Sequence, residues 1–238
     1  MQSKTLPSLN RAQVVMCLFT VLCLLSFSAC YGPLKSASNQ SLNHKLSSEQ
    51  TDSDENSLIV PGSSVGKITA NTTLADLRDW YGKANVQAGQ VPTNEGGTLP
   101  GAILFPHDPH KTIKVYWKML KGQTPTVQSV LIEAPNTSWH TEEGIRVGTS
   151  LQQLEKLNGQ AFTLSGFDWD YGGMVLSWGD RGKLRDQFQK NGGLSLQLAP
   201  SPNASTHYAS LEGEGTFSSA NPEMQKLNPQ VVGLGVFL

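Results

Sequence analysis

The side chains best suited to chemistry in this 238-residue sequence lie in two short stretches, GFDWDYGG at 166–173 and HDPH at 107–110. In the first, Asp168 and Asp170 alternate with Trp169 and Tyr171. Amphipathic rings supply rigid contact area and carboxylates fix orientation, which is the pattern of a loop that binds a protein or a sugar. The same residues also fit a loop whose rings plug a core seam while its acids cap turns. Asp168-x-Asp170-x-Gly172 starts like a calcium loop, but the closing Glu at position twelve is replaced by Gly179. His107 and His110 with Asp108 could ligate zinc, yet Pro109 and the missing i, i+4 spacing favour a solvated turn. His140, beside Trp139, has no partner visible in the sequence.

Nucleophilic catalysis finds little to work with. There is no Gly-x-Ser-x-Gly elbow and no phosphate-cradling Gly-rich loop, and no cofactor is expected. The acid pairs Glu142/Glu143 and Asp168/Asp170 could serve glycoside hydrolysis, which uses carboxylates about 5 to 9 Å apart. An envelope hydrolase using Asp168, Asp170 or His107 is therefore the alternative to a non-catalytic binding role, and a purely structural spacer is a third. Eighteen Lys and Arg against nineteen Asp and Glu leave a net charge of -1, which gives no basic excess to hold nucleic acid.

All three cysteines, Cys17, Cys23 and Cys30, precede residue 31. Lys4 and Arg11, the apolar run from Val14 to Leu25 and the small residues Ser26, Ser28 and Ala29 form the three regions of an export signal over 1–29. About twelve uninterrupted apolar residues fall short of the roughly 20 a spanning helix needs. Phe27-Ser28-Ala29-Cys30 resembles the lipobox of bacterial lipoproteins, although Leu is commoner than Phe at its first position. The resemblance implies diacylglycerol on the Cys30 sulfur, cleavage before Cys30 and acylation of the new amino group. Ser26 and Ser28 also satisfy ordinary small-x-small cleavage, which would leave Cys30 near a free N-terminus. One acyl chain holds a bilayer only marginally, whereas two or three hold it stably. Loss of Cys17 and Cys23 with the signal would leave no second thiol for a disulfide. Tyr31, rather than the Asp that marks inner-membrane retention in this class, implies an outer-membrane address facing the periplasm.

Residues 30–65 are rich in Ser, Asn and Gln and poor in aromatics, so they are expected to form a tether that averages roughly 30 Å end to end. Beyond it, KITANTTLADLRDWYGKAN from Lys67 and GIRVGTSLQQLEKLNGQAF from Gly144 share a pattern at an offset of 77. Thr73-x-x-Asp76 and Ser150-x-x-Gln153 read as capping boxes, with Asp76 in place of the usual Glu or Gln. Leucines at i and i+3 give each helix one apolar stripe, and Gly82 and Gly159 are candidate stops.

Alternating segments then predict strands: NVQAGQV, GAILF, TIKVYW and TVQSVLIEA in the first half, AFTLSGF, MVLSW, LSLQLA and VVGLGVFL in the second. The expected fold is α+β, with two tandem units at 66–135 and 144–238, each a short helix followed by three or four antiparallel strands. The segments TTLADLRDWYG and TSLQQLEKLNG carry a resemblance to the beta-lactamase inhibitor protein fold and, for a single unit, to small lipoproteins of the outer-membrane barrel-assembly machinery. Fold does not fix function. The reading is a lipid-anchored envelope protein that binds a protein or polysaccharide through Asp168, Trp169, Asp170 and Tyr171. Residues 200–230 are expected to be an extended loop.

Overall fold

A computed structural model describes residues 57–94, 96–189, 193–202 and 208–238. The signal, Cys30 and the tether up to residue 56 lie outside the described residues. Short strands β1 (Leu58–Val60), β2 (Ser64–Val65) and β3 (Ile68–Thr69) lead into helix α1 (Leu74–Tyr81). Strands β4 (Val86–Pro92), β5 (Thr98–Leu104), β6 (Ile113–Lys118) and β7 (Thr126–Ile132) follow. After β8 (His140–Thr141) come α2 (Leu151–Asn158), β9 (Thr163–Ser165) and β10 (Val175–Ser177). The chain ends with α3 (Arg185–Gln189), β11 (Leu194–Ala199), β12 (Thr216–Ser218), α4 (Pro222–Leu227) and β13 (Gln230–Phe237). The class is α+β and rich in strand.

Both main helices begin at complete capping boxes. Thr73 Oγ1 accepts from the Asp76 N–H at 3.3 Å, and Asp76 accepts from the Thr73 N–H at 2.8 Å. Ser150 and Gln153 exchange the equivalent bonds at 3.3 and 2.9 Å. Asp76 therefore closes its box despite its shorter side chain, and it accepts from the Thr73 hydroxyl as well, at 2.7 Å. Both helices end at glycines with positive φ, Gly82 at 82° and Gly159 at 77°.

Each cap satisfies donors that the helix itself cannot, so Thr73→Ala and Ser150→Ala are each expected to cost about 1 kcal/mol, read as a shift in urea midpoint. The two differ in pH dependence. The Thr73 side chain, and then the Thr73 backbone, hold the Asp76 carboxyl below its ordinary value. That contribution is present above the ordinary carboxylate value and is lost as pH falls through the lowered one. The Thr73→Ala penalty should shrink in acid, and the Ser150→Ala penalty should not, because Gln153 does not titrate.

The six strands β11-β13-β7-β6-β5-β4 form one sheet in that order, antiparallel throughout. Alternation sends Ile113 and Val115 of β6, Val130 and Ile132 of β7, and Leu194, Leu196 and Leu198 of β11 into the core. There they meet Leu77 of α1 and Leu151 and Leu154 of α2 in one cluster. Each such burial contributes about 1.5–3 kcal/mol, which is what makes helices this short hold.

Two small sheets complete the body, β3-β2-β1-β8 and β10-β9-β12. They correct two expectations. Residues 58–65, assigned to the tether by composition, form β1 and β2 with Ile59 and Val65 buried. The short apolar run Leu58-Ile59-Val60 gains a parallel partner in β8, 80 or so residues away, which no local pattern reveals. Within 200–230, β12 pairs with β9, and α4 starts at the N-cap Asn221 with Pro222 in its first turn and stops at left-handed Asn228. Residues 203–207 of that segment lie outside the described residues.

Candidate functional site

The site follows from how the sheet alternates. Side chains opposite the core on β5, β6, β7, β13 and β11 are Leu99, Tyr116, Ser129, Leu131, Gly233, Gly235, Phe237, Ser195 and Gln197. They floor and wall a groove of 350 Å³, within the size range of small-ligand and side-chain pockets. Two hairpins border it: the β4–β5 turn contributes Thr93 and Asn94, and the β9–β10 loop contributes Asp170, Tyr171 and Met174. Asp170 is the one charged side chain among the described walls.

A single side chain ties the two hairpins together. Gln197, in the middle of β11, accepts from Asn94 Nδ2 at 3.5 Å and donates through Nε2 to the Gly172 carbonyl at 3.0 Å. Beside that turn, Tyr116 holds the β4–β5 hairpin as well, its hydroxyl donating to the Pro92 carbonyl at 2.7 Å.

The floor is lowered by glycines in β13. A Cβ at Gly233 would meet its neighbours at ordinary contact distance, 3.8 Å from both the Gln197 and Glu133 side chains. The absence of a side chain at 233 is therefore not demanded by packing, and it leaves depth for a visitor. At Gly235 a Cβ would run into the Ser195 hydroxyl.

Tyr116 is buried to 7% exposure beneath the hairpin. Burial, with a smaller contribution from Glu133, pushes its phenol up to about 12. The unfolded chain gives up this proton near 10, so the bond to Pro92 contributes fully below pH 10 and is lost as pH rises from there to about 12. Alkaline titration followed by phenolate absorbance should show late-ionising tyrosines, and Tyr116→Phe should remove one of them at a cost of about 0.5–1.5 kcal/mol.

The GFDWDYGG loop divides its four prominent residues between two jobs. Asp170 and Tyr171 line the groove, and Tyr171 is 47% exposed. Trp169 is half-buried, and its indole Nε1 donates to the Gly166 carbonyl at 3.0 Å. It meets Tyr171 edge to face, with centroids 5.5 Å apart, and so supports that ring from behind. Asp168 takes a left-handed φ of 65° and accepts from the Tyr208 hydroxyl at 3.4 Å. Burial first, and then the Asp168 charge, raise the Tyr208 phenol. The loop is closed at its base by Ser165, which donates to the Tyr171 carbonyl at 2.6 Å and accepts from the Met174 N–H at 3.0 Å.

The other candidate groups lie elsewhere. His107 and His110 occupy the β5–β6 connection, at the opposite end of β5 from the β4–β5 turn. Asp108 there accepts from the His110 N–H at 3.0 Å and pairs with Lys111 at 3.6 Å, and His110 Nδ1 lies 3.0 Å from the Pro135 carbonyl. This is a turn stitched by its own carboxylate. Among the described residues no three His, Cys, Asp or Glu side chains converge as metal ligands would. His140 Nδ1 lies 2.7 Å from the Ser138 carbonyl. Glu143 accepts from the Thr141 hydroxyl at 2.8 Å and lines a second, polar hollow of 830 Å³ with Arg146, Lys156 and Lys183.

From the sequence, QVPTNEGG at 90–97 aligns with GFDWDYGG as a loop, but a binding role is expected only of the second, and none of Leu99, Leu131 or Phe237. A signal for Leu131 and Phe237 was present, because they occupy positions that alternation in the expected strands assigns to solvent, whereas Leu99 precedes the expected strand GAILF. Comparison with known proteins finds no family model that matches the chain, no similar curated protein and no similar solved structure.

Proposed function

We propose that this is a lipid-anchored envelope protein that holds a partner protein, without catalysis, in the groove between its two hairpins. The observation that carries this reading is an open, largely apolar groove bordered by Tyr171, Leu99 and Phe237, which are 47%, 49% and 41% exposed. Exposed rings and leucine around a well-formed depression are what an interface core looks like before its partner arrives. Apolar walls with one carboxylate among the described residues suit an inserted protein side chain better than the many hydroxyls of a sugar. The half exposure of Tyr171 speaks against a purely structural spacer. A hydrolase gains no support, because Asp170 is the one acid among the described residues that line the groove and His107 sits at the far end of β5.

The body reads as a duplication, with units over 66–135 and 144–238. Capping boxes recur at the same offset, and so does a smaller detail: the hydroxyls of Thr72 and Thr149 accept from the Thr69 and Arg146 N–H groups at 2.9 and 3.0 Å. Strands β4 and β9 begin at equivalent positions, 86 and 163, as do β5 and β10, at 98 and 175. The last strands of the two halves, β7 and β13, pair with each other. On this reading the two bordering hairpins are the same hairpin used twice, in an arrangement that resembles the beta-lactamase inhibitor protein fold. The lipid on Cys30 and the outer-membrane address remain part of the proposal, on the strength of Phe27-Ser28-Ala29-Cys30 and Tyr31.

The test compares recovery of crosslinked partners by the wild type and by Gly233→Val and Tyr171→Ala. Gly233→Val raises the groove floor at a position with room for a side chain, and Tyr171→Ala removes a wall. Each should cut partner recovery by about tenfold or more while leaving the unfolding midpoint near wild type. Undiminished recovery by both folded variants would reject the groove. Intact mass of the mature chain should show acyl groups on residue 30.

A further inference from the structure

We infer that the β6–β7 hairpin tip is a second membrane contact, which lays Met119 and Leu120 into the headgroup region of an anionic bilayer with Lys118 and Lys121 on its phosphates. The inference rests on the lipid anchor proposed above, since that anchor is what brings the tip to a membrane at high effective concentration.

The tip reads Lys118-Met119-Leu120-Lys121-Gly122-Gln123-Thr124, and every one of these residues is exposed. Met119 is the most exposed large apolar residue among those described, at 59%, and Leu120 stands at 47%. Neither can be explained as a core residue that strayed, because β6 has already delivered Ile113 and Val115 to the core before the turn begins. The tip is fixed by a backbone bond from the Gln123 N–H to the Leu120 carbonyl at 3.1 Å, so the two apolar side chains are presented together on a formed turn. Two lysines flank them, no Asp or Glu lies between 118 and 132, and neither lysine has an ion-pair partner among the described residues.

An apolar pair flanked by cations is what an anionic lipid surface selects. The methylene stems follow the apolar residues inward while the ammonium groups stay at phosphate level. Each lysine contributes about a fivefold factor in affinity for a surface bearing anionic lipid. Two lysines and two apolar residues would bind too weakly alone, and they suffice for a chain already tethered by acyl groups. The composition of residues 31–56 is that of a flexible tether, which for a chain of that length would average roughly 30 Å end to end. The tip also leaves the sheet at the end where Phe237 pairs with Ser129 and Leu238 bonds to Gln128, so docking it would turn that end of the groove toward the bilayer.

The test uses the mature, full-length lipidated chain carrying Met119→Cys, labelled with an environment-sensitive thiol dye and reconstituted into vesicles. With Cys30 acylated and the signal removed, residue 119 is the one reactive thiol, so one dye per chain is expected. In vesicles of phosphatidylcholine with phosphatidylglycerol, the dye should shift blue and be quenched by brominated acyl chains. In phosphatidylcholine alone, in high salt, or with Lys118→Glu/Lys121→Glu added, the docked-to-free ratio should fall by more than about twentyfold. A dye at Asp79→Cys on α1 should remain in water throughout. One dye per chain with identical, water-like emission in both vesicle types would overturn the tip contact while leaving the anchor standing. Two dyes per chain would mean a free Cys30, and would overturn the anchor and this inference together. Quenching that survives the double charge reversal would overturn the assignment to anionic lipid, since Met119 and Leu120 would then enter the bilayer without the lysines.

Discussion

Gly173→Ala should lower the stability of the folded body by about 2–5 kcal/mol and loosen the GFDWDYGG loop, although the change adds a single methyl group. Two costs combine. Gly173 has a φ of 73°, a left-handed backbone that costs an alanine about 1–2 kcal/mol. Its missing Cβ is also occupied space, since a methyl there would collide with the Leu198 carbonyl and come within 3.1 Å of the Phe167 ring. Relief would require the strand to move, at about 1–3 kcal/mol for overpacking. The bonds at stake are the Gly173 N–H to the Gly166 carbonyl at 3.0 Å, which closes the loop on itself, and the Leu198 N–H to the Gly173 carbonyl at 2.9 Å, which fastens the second hairpin to β11. Denaturant unfolding measures the first effect. Amide exchange at Leu198 measures the second and should accelerate.

Asn158→Leu should be nearly as damaging, at about 3 kcal/mol, even though it makes the core more apolar. Asn158 ends α2 fully buried. Its Nδ2 donates to the Gln160 carbonyl at 3.0 Å and the Trp178 carbonyl at 2.9 Å, and its Oδ1 accepts from the Leu184 N–H at 3.2 Å. One side chain thus pins the helix end to two separate segments of irregular backbone. Leucine would leave the Leu184 N–H and the Gln160 carbonyl without that partner, and each orphaned buried group costs about 1–3 kcal/mol. Trp178 fares better because Gln160 Nε2 also donates to its carbonyl, at 3.0 Å. The companion Asn158→Asp gives a signed pH test. A carboxylate facing two carbonyl oxygens is disfavoured, so its folded pKa must rise above the unfolded value. Its stability should be highest in acid and fall as pH climbs through that raised value.

These two residues mark where sequence reasoning ran out. Helices α1 and α2 were legible to the residue, because an N-cap hydroxyl, an acceptor three positions on and a terminal glycine are local signals, whereas the shorter α3 and α4 were not. The long strands were legible from alternation, and LSLQLA matches β11 end to end. Order between distant pieces was not legible. Nothing local says that β7 pairs with β13 or β1 with β8, since pairing of this kind is decided by packing. The same reason hid half of the site. Trp169 and Tyr171 stood out by type. Leu99, Phe237 and the glycines of β13 gain meaning only once five strands lie side by side and the β4–β5 hairpin folds back over them.

Site-specific photocrosslinking in the living envelope asks whether a partner enters the groove between the hairpins. A photoreactive residue replaces Leu99 in the groove or, as control, Trp80 on α1, which is 43% exposed. One discrete protein adduct is expected from position 99, absent when Gly233→Val is added, and no such adduct from position 80. The same adducts from both positions, or none from position 99 in a folded and correctly localised chain, would contradict it.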